Sequence, residues 1–105
     1  MSESAQGLGG WSSPKPAEEP IQATCDAVRK AVEEKINSGL PFGKYNATLY
    51  VEQVVEGMNY RMKVEINTVS VIRIQVYQSP FLVMGAPTPP QLTAVAADGP
   101  LDGPF

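Results

Sequence analysis

Residues 45–67 read YNATLYVEQVVEGMNYRMKVEIN, and this stretch decides the fold. Apolar and polar residues alternate on both sides of its centre, which predicts two strands that each have one solvated face. The first strand covers residues 45–56, and its apolar side holds Tyr45, Ala47, Leu49 and Val51. The second covers residues 58–67, and its apolar side holds Tyr60, Met62, Val64 and Ile66. The short connection between them predicts an antiparallel hairpin.

The turn of this hairpin, Gln53-Val54-Val55-Glu56-Gly57, carries two adjacent apolar residues. Turns that join two strands are normally rich in Asn, Asp, Gly or Pro. Two interpretations are open. Val54 and Val55 are either the buried last residues of a strand, or an exposed apolar tip that another molecule covers. The location of the two side chains decides between them.

A third strand and a helix complete the predicted core. Residues 70–77 continue the alternation after a short connection at residues 67–70, and their apolar side holds Ile72, Ile74 and Val76. Residues 18–38 show helical periodicity instead, because apolar residues recur every three or four positions. This stripe consists of Ile21, Cys25, Val28, Val32 and Ile36. One helix that packs on the apolar face of a curved antiparallel sheet defines an α+β fold.

The segments on either side of this unit differ from it in composition. Residues 1–17 are rich in Gly, Ser and Pro, which predicts a flexible amino-terminal arm. Residues 18–80 form the helix-plus-sheet domain. Residues 81–105 are Pro-rich, so we expect at most an edge strand there, near residues 92–95, followed by a loose tail. The sequence alone leaves undecided whether a last strand completes the sheet.

The composition excludes most chemistry. The chain has 105 residues, the length of a single domain, with no histidine and one cysteine, Cys25. It therefore lacks the ligand cluster of a zinc site and the histidine base that a Ser or Cys nucleophile needs, so we predict neither an enzyme nor a cofactor. The net charge of −3, without a basic block, argues against nucleic acid or an anionic membrane as partner. Without a signal-peptide pattern or an apolar run of about 18 residues, we expect a cytoplasmic location.

The order of the parts resembles a known family. A Gly9-Gly10-Trp11-Ser12 arm precedes an amphipathic helix, a strand, the QVVEG turn, a second strand, and a third strand that ends in Ser79-Pro80. This order, across residues 9–79, is similar to that of the stefins, the type 1 branch of the cystatin superfamily. The turn matches the family's Gln-x-Val-x-Gly motif, and Gly10 stands where the family has its amino-terminal glycine.

The resemblance implies a reversible, tight-binding, competitive inhibitor of papain-like cysteine proteases such as cathepsins. Three parts would fill the active-site cleft of the protease. They are the amino-terminal arm, the QVVEG turn and a second hairpin, whose nearest counterpart here is Ser79-Pro80-Phe81. The protease-binding residues implied in this way are Gly9, Gly10, Gln53, Val54, Val55, Glu56, Gly57, Ser79 and Pro80. A monomer is expected, with strand exchange between two copies as the route to a dimer.

Two departures from the stefin pattern support an alternative. Glu56 stands where stefins most often have a small residue, and beyond Phe81 the pattern is largely absent. A cystatin-like module that no longer inhibits proteases, and that binds another partner, fits these features. A plain α+β interaction domain in which the QVVEG match arose by chance is the remaining alternative.

Overall fold

The computed structural model describes residues 10–105, which form two short helices and seven strands. The helices are α1 (Glu19–Ala27) and α2 (Arg29–Ile36). The strands are β1 (Lys15–Pro16), β2 (Asn46–Val55), β3 (Gly57–Glu65), β4 (Val71–Gln78), β5 (Leu82–Val83), β6 (Ala86–Pro87) and β7 (Gln91–Ala97).

Five of these strands form one antiparallel sheet, in the spatial order β1-β2-β3-β4-β7. The helices pack on one face of this sheet, which confirms the predicted α+β fold. Strand β7 lies at one edge, beside β4, so the last strand that the sequence left undecided does complete the sheet. The other two strands, β5 and β6, pair with each other in a small separate hairpin.

The helix expected over residues 18–38 is interrupted at Val28. This residue has φ −106° and ψ 6°, and its N–H donates to the carbonyl oxygen of Cys25, three residues back. Such a bond tightens the turn, so α1 ends there and α2 begins at Arg29. The apolar stripe is nevertheless buried as predicted up to the last turn. The residues buried together with Val28 are Ile21, Cys25 and Val32. Ile36, the last residue of α2, is exposed.

The expected facing of the first strand is wrong beyond Ala47, because β2 contains a β-bulge. The pairing with β3 shifts register between Ala47 and Leu49, which makes Thr48 an extra residue. One extra residue reverses every side chain that follows it. Tyr50 therefore packs against the helix-side core, whereas Leu49 and Val51 lie on the opposite, outer face of the sheet.

The main core lies between the helices and the inner face of the sheet. It contains the apolar residues that the alternation assigned to β3 and β4, which confirms the facing of these two strands. Its buried members are Ile21, Cys25, Val28, Val32, Phe42, Tyr45, Ala47, Met62, Val64, Ile72, Ile74 and Val76. Because fully burying one Val, Ile or Met side chain contributes roughly 1.5–3 kcal/mol, this cluster is the main source of folding free energy.

Two polar side chains connect the helices to the chain that leads into the sheet. The side-chain oxygen of Gln22 accepts a hydrogen bond from the Ala47 N–H at 2.8 Å. The Glu33 carboxylate accepts from Nε of Arg29 at 2.8 Å and from the N–H of Phe42 at 3.0 Å. The bond from Arg29 is the main reason that the pKa of Glu33 is lowered. Both side chains therefore fix the position of the helices relative to β2.

The outer face of the sheet is covered by residues 98–105, which we call the return segment. The segment follows β7 and brings Leu101 into a buried position near Val51. Arg73 of β4 holds it, because its guanidinium donates hydrogen bonds of 2.6, 2.7 and 3.1 Å to backbone carbonyls. These acceptors are Ala97, Pro100 and Pro104. This part of the chain therefore differs from the loose tail that its proline content led us to expect.

Within residues 10–105, no helix is long and apolar enough to cross a bilayer. Over the same range, no group of three or more His, Cys, Asp or Glu side chains is arranged to hold a metal ion.

We expect Cys25 to react with a thiol reagent only when the core opens. Its side chain is fully buried, and burial raises its pKa to about 11. Because the thiolate is the reactive species, labelling by DTNB near pH 8 should be at least about a hundredfold slower in the native protein than in urea. Labelling at the unfolded rate in buffer, followed by absorbance, would contradict this packing of α1 on the sheet.

Candidate functional site

The turn between β2 and β3 forms a narrow tip. Strand β2 ends at Val55, β3 begins at Gly57, and Glu56 alone lies between them. The side chain of Val54 is 46% exposed, and Val55 is half-buried, so both lie outside the core. Of the two interpretations that the sequence left open, the structure therefore supports the exposed tip.

Gly57 allows a second segment to approach the tip closely. Its φ is +102°, a conformation that other residues rarely adopt. A Cβ atom here would clash with the carbonyl oxygen of Gln78 and would lie 3.0 Å from both Cδ of Pro80 and the Tyr77 hydroxyl. The absence of a side chain at this position therefore lets the end of β4 pack directly against the tip.

Two hydrogen bonds stabilise the shape of the tip. The Tyr77 hydroxyl donates to the carbonyl oxygen of Glu56 at 2.6 Å. The Asn59 amide donates to the side-chain oxygen of Gln53 at 2.8 Å, across a directly opposed pair of β2 and β3. Sequence reasoning missed both bonds, although the alternation had placed Tyr77 and Asn59 on the polar sides of their strands.

The amino-terminal segment lies beside the tip. Trp11 forms an antiparallel bridge to Gln53. The Ser12 N–H donates to the carbonyl oxygen of Glu52 at 2.9 Å, and the Glu52 N–H donates to the Ser12 hydroxyl at 3.0 Å. Gly10, the first described residue, is therefore next to the part of β2 that carries the tip.

Residues 11–17 follow the edge of β2, which differs from the flexible arm expected over residues 1–17. Lys15 pairs with Tyr50, and its ammonium group forms an ion pair of 2.7 Å with Glu52. The hydrogen bond in this ion pair raises the pKa of Lys15. Gly9, which was also assigned to the site, lies outside the described residues, so its place stays a prediction.

Ser79 and Pro80 lie on the other side of the tip. They follow β4 directly, and Pro80 is exposed. The structure therefore brings Gly10, the residues of the tip, and Ser79 with Pro80 to one end of the domain. Whether these residues contact a protease stays a prediction.

An additional apolar feature follows Pro80. Strands β5 and β6 form a hairpin whose turn contains Met84 and Gly85, both with positive φ. Its apolar residues are exposed by 59% to 100%, and they are Phe81, Leu82, Val83 and Met84. The sequence analysis did not predict this hairpin. The Met84-Gly85 pair is the available signal, since two-residue hairpin turns favour glycine.

The arrangement is suited to binding another molecule. The three parts present apolar side chains and backbone at the end of the sheet, and Glu56 is the charged residue at the apex. The one cysteine of the chain, Cys25, lies in the helix-side core, where burial raises its pKa and disfavours the thiolate. The fold and the site thus define a small α+β binding protein.

Comparison with known proteins identifies the family. The Cystatin domain model matches residues 9–83. Stefin-C of Bos taurus is 39% identical over 72 residues, which is 69% of each chain. Cystatin-A of Homo sapiens is 39% identical over 71 residues, 68% of this chain and 70% of that protein. The Sus scrofa protein named Leukocyte cysteine proteinase inhibitor 1 is 38% identical over 71 residues, 68% and 67% of the two chains. The chain belongs to the cystatin family, in its stefin branch.

We expect Gly57→Ala to destabilise the protein by roughly 1–3 kcal/mol, because the new Cβ combines a strained φ with a backbone clash. Urea unfolding followed by circular dichroism measures this loss. Gly43→Ala is the matched control, since Gly43 has no positive φ and open space around the added Cβ. Equal unfolding midpoints for the two variants would show that the close approach at Gly57 is not required.

Proposed function

We propose that this protein is a reversible, tight-binding, competitive inhibitor of papain-like cysteine proteases, the class that includes the cathepsins. The observation that carries the proposal is the exposed valine tip, with the Gly10 segment on one side and Ser79-Pro80 on the other. Membership of the cystatin family supports it, as does the name of the pig relative, which describes an inhibitor of cysteine proteinases. The cytoplasmic location expected from the sequence stays a prediction.

The binding energy would come mainly from the apolar tip. Fully burying one valine side chain contributes roughly 1.5–2 kcal/mol. Val54 is about half exposed, and Val55 is more buried. On entering an apolar cleft, each side chain would therefore contribute only part of this burial energy. The hydrogen bonds of Tyr77 and Asn59 hold the tip in one shape before binding. Little conformational entropy is then lost on association.

The arm would supply a second contact of a different kind. Gly10 has no side chain, so the backbone can pass close to the protease surface. If the chain turns away there, no peptide carbonyl is held in attack geometry next to the catalytic thiol, and the inhibitor is not cleaved. This arrangement explains why inhibition would be reversible and non-covalent.

The β5–β6 hairpin favours a second candidate function. Its exposed apolar residues lie immediately after Pro80, where a bulky extension can prevent the tip from entering a narrow cleft. The protein would then be a cystatin-like module that binds another partner through this surface. Titration of papain separates the two candidates, because stoichiometric loss of activity supports the inhibitor and full activity in excess protein supports the module.

We expect Val54→Ala to raise the inhibition constant for papain about fourfold, since the substitution removes two methyl groups of which about half the surface is already covered in the free protein. The inhibition constant is measured from steady-state rates at several substrate concentrations. Val69→Ala is the matched control. Val69 is 89% exposed in the connection between β3 and β4, which is the opposite end of the sheet from the tip. A similar effect of both substitutions would contradict a contact made by the tip.

We expect Glu56→Ala to leave the inhibition constant unchanged or to lower it. Glu56 is exposed at the apex, and placing its carboxylate in an apolar cleft costs desolvation energy. Glu34→Ala, which removes an exposed carboxylate from α2, controls for the change in net charge. A clear rise in the inhibition constant for Glu56→Ala alone would show that this carboxylate makes a favourable contact with the protease.

A further inference from the structure

Trp11, the residue that follows Gly10, is held by an arginine on the outer face of the sheet. The guanidinium carbon of Arg61, in β3, lies 4.5 Å from the centroid of the Trp11 ring. The same carbon lies 4.5 Å from the centroid of the Phe105 ring, in the return segment. Cations this close to an aromatic ring are attracted to it. We call these three residues the Arg61 cluster.

Arg61 is itself fixed in position by hydrogen bonds. Its Nε donates to the side-chain oxygen of Gln75 at 2.7 Å. Its Nη1 donates to the carbonyl oxygens of Leu101 and Gly103 at 3.1 and 3.0 Å. Burial lowers the pKa of Arg61, but a guanidinium keeps its charge at neutral pH. The return segment therefore contributes both the second ring of the cluster and two of the acceptors that orient the cation.

Arg61 lies away from the tip. Arg61 is directly opposite Val51, which is four residues before Val55 in β2. With a rise of about 3.3 Å per residue, this separation is about 13 Å along the strand. Trp11 spans the interval, because its backbone forms the bridge to Gln53 while its ring contacts Arg61. Phe105 is thus connected to the arm through Arg61 and Trp11.

We propose that Phe105 and Arg61 are positioning residues for the arm, an inference that rests on the proposed inhibitory function. By holding Trp11 against the sheet, they fix the position of the neighbouring Gly10. A binding residue that is held in place before association loses less conformational entropy when it binds the protease. Removal of the Phe105 ring therefore speeds dissociation of the complex, although this ring takes no part in the tip.

The free protein provides the first test. Trp11 is the single tryptophan of the chain, so its fluorescence reports the cluster without any protease. Phe105 acts on Trp11 through Arg61, which contacts both rings. One cation–π contact corresponds to a factor of about two to five in the docking equilibrium, so we expect F105A to raise the acrylamide quenching constant roughly twofold. P104A is the matched control, because it keeps the carbonyl that accepts from Arg73. Circular dichroism in urea verifies that both variants fold. An unchanged quenching constant in F105A overturns the proposal, whether or not the protein inhibits papain.

The second test is a double-mutant cycle with papain. We expect F105A to raise the dissociation rate constant about fivefold with little change in association, and to have no further effect in a W11A background. A fivefold effect that persists in W11A overturns the proposal, because Phe105 would then contact the protease itself. If F105A raises the quenching constant but the unmodified protein does not inhibit papain, the inhibitory function is wrong. Phe105 is in that case a structural residue only, and its positioning role is overturned as well.

Discussion

A position without a side chain, Gly57, is the constraint on which the candidate site depends. Its positive φ closes the turn after Glu56, and its missing Cβ leaves room for the carbonyl of Gln78 and the ring of Pro80. The tip and the end of β4 are therefore in direct contact, which places the Tyr77 hydroxyl within hydrogen-bond distance of the turn. Any larger residue would separate the two and leave the turn without this support. The glycine of the QVVEG motif thus has a structural reason that is independent of any partner.

Both faces of the sheet are covered. Two irregularities in strand pairing direct apolar side chains toward these covers. The bulge at Thr48 turns Val51 to the outer face, where Leu101 packs. On the inner face, a register shift in the pairing of β4 with β7 lets Leu92 and Val95 both pack against the helix-side core, although they are three residues apart. The return segment contains Pro100 and Pro104, which cannot donate to a strand ladder. Its carbonyl groups accept hydrogen bonds from the guanidinium groups of Arg61 and Arg73, which take the place of a neighbouring strand.

Much of this architecture was accessible from the sequence, and the exceptions have physical reasons. Strict alternation predicted the facing of β3 and β4, because these two strands pair with each other without a register shift. It failed in β2 after Ala47, since one unpaired residue cannot be detected from periodicity alone. The interruption at Val28 was missed because the apolar stripe continues across it. Proline content correctly limited β7 to an edge, but it gave no sign that two arginines distant in sequence would hold residues 98–105. For the site, the sequence predicted a turn at residues 53–57 but left the exposure of Val54 and Val55 open, and it did not predict the β5–β6 hairpin.

The edges of the sheet indicate why apolar exposure at the tip requires an explanation. Strand β1 has only two residues and includes Pro16, and β7 is interrupted by its bulge, so both edges are poor templates for another strand. The chain thus protects the surfaces at which non-specific pairing would begin. Yet it leaves Val54 and the consecutive residues 81–84 exposed to water near one end of the domain. Val69 is also exposed, but singly, whereas residues 81–84 form a contiguous exposed apolar run, and contiguous apolar patches mark interaction sites. This contrast favours a dedicated binding surface over a chance match to the QVVEG motif.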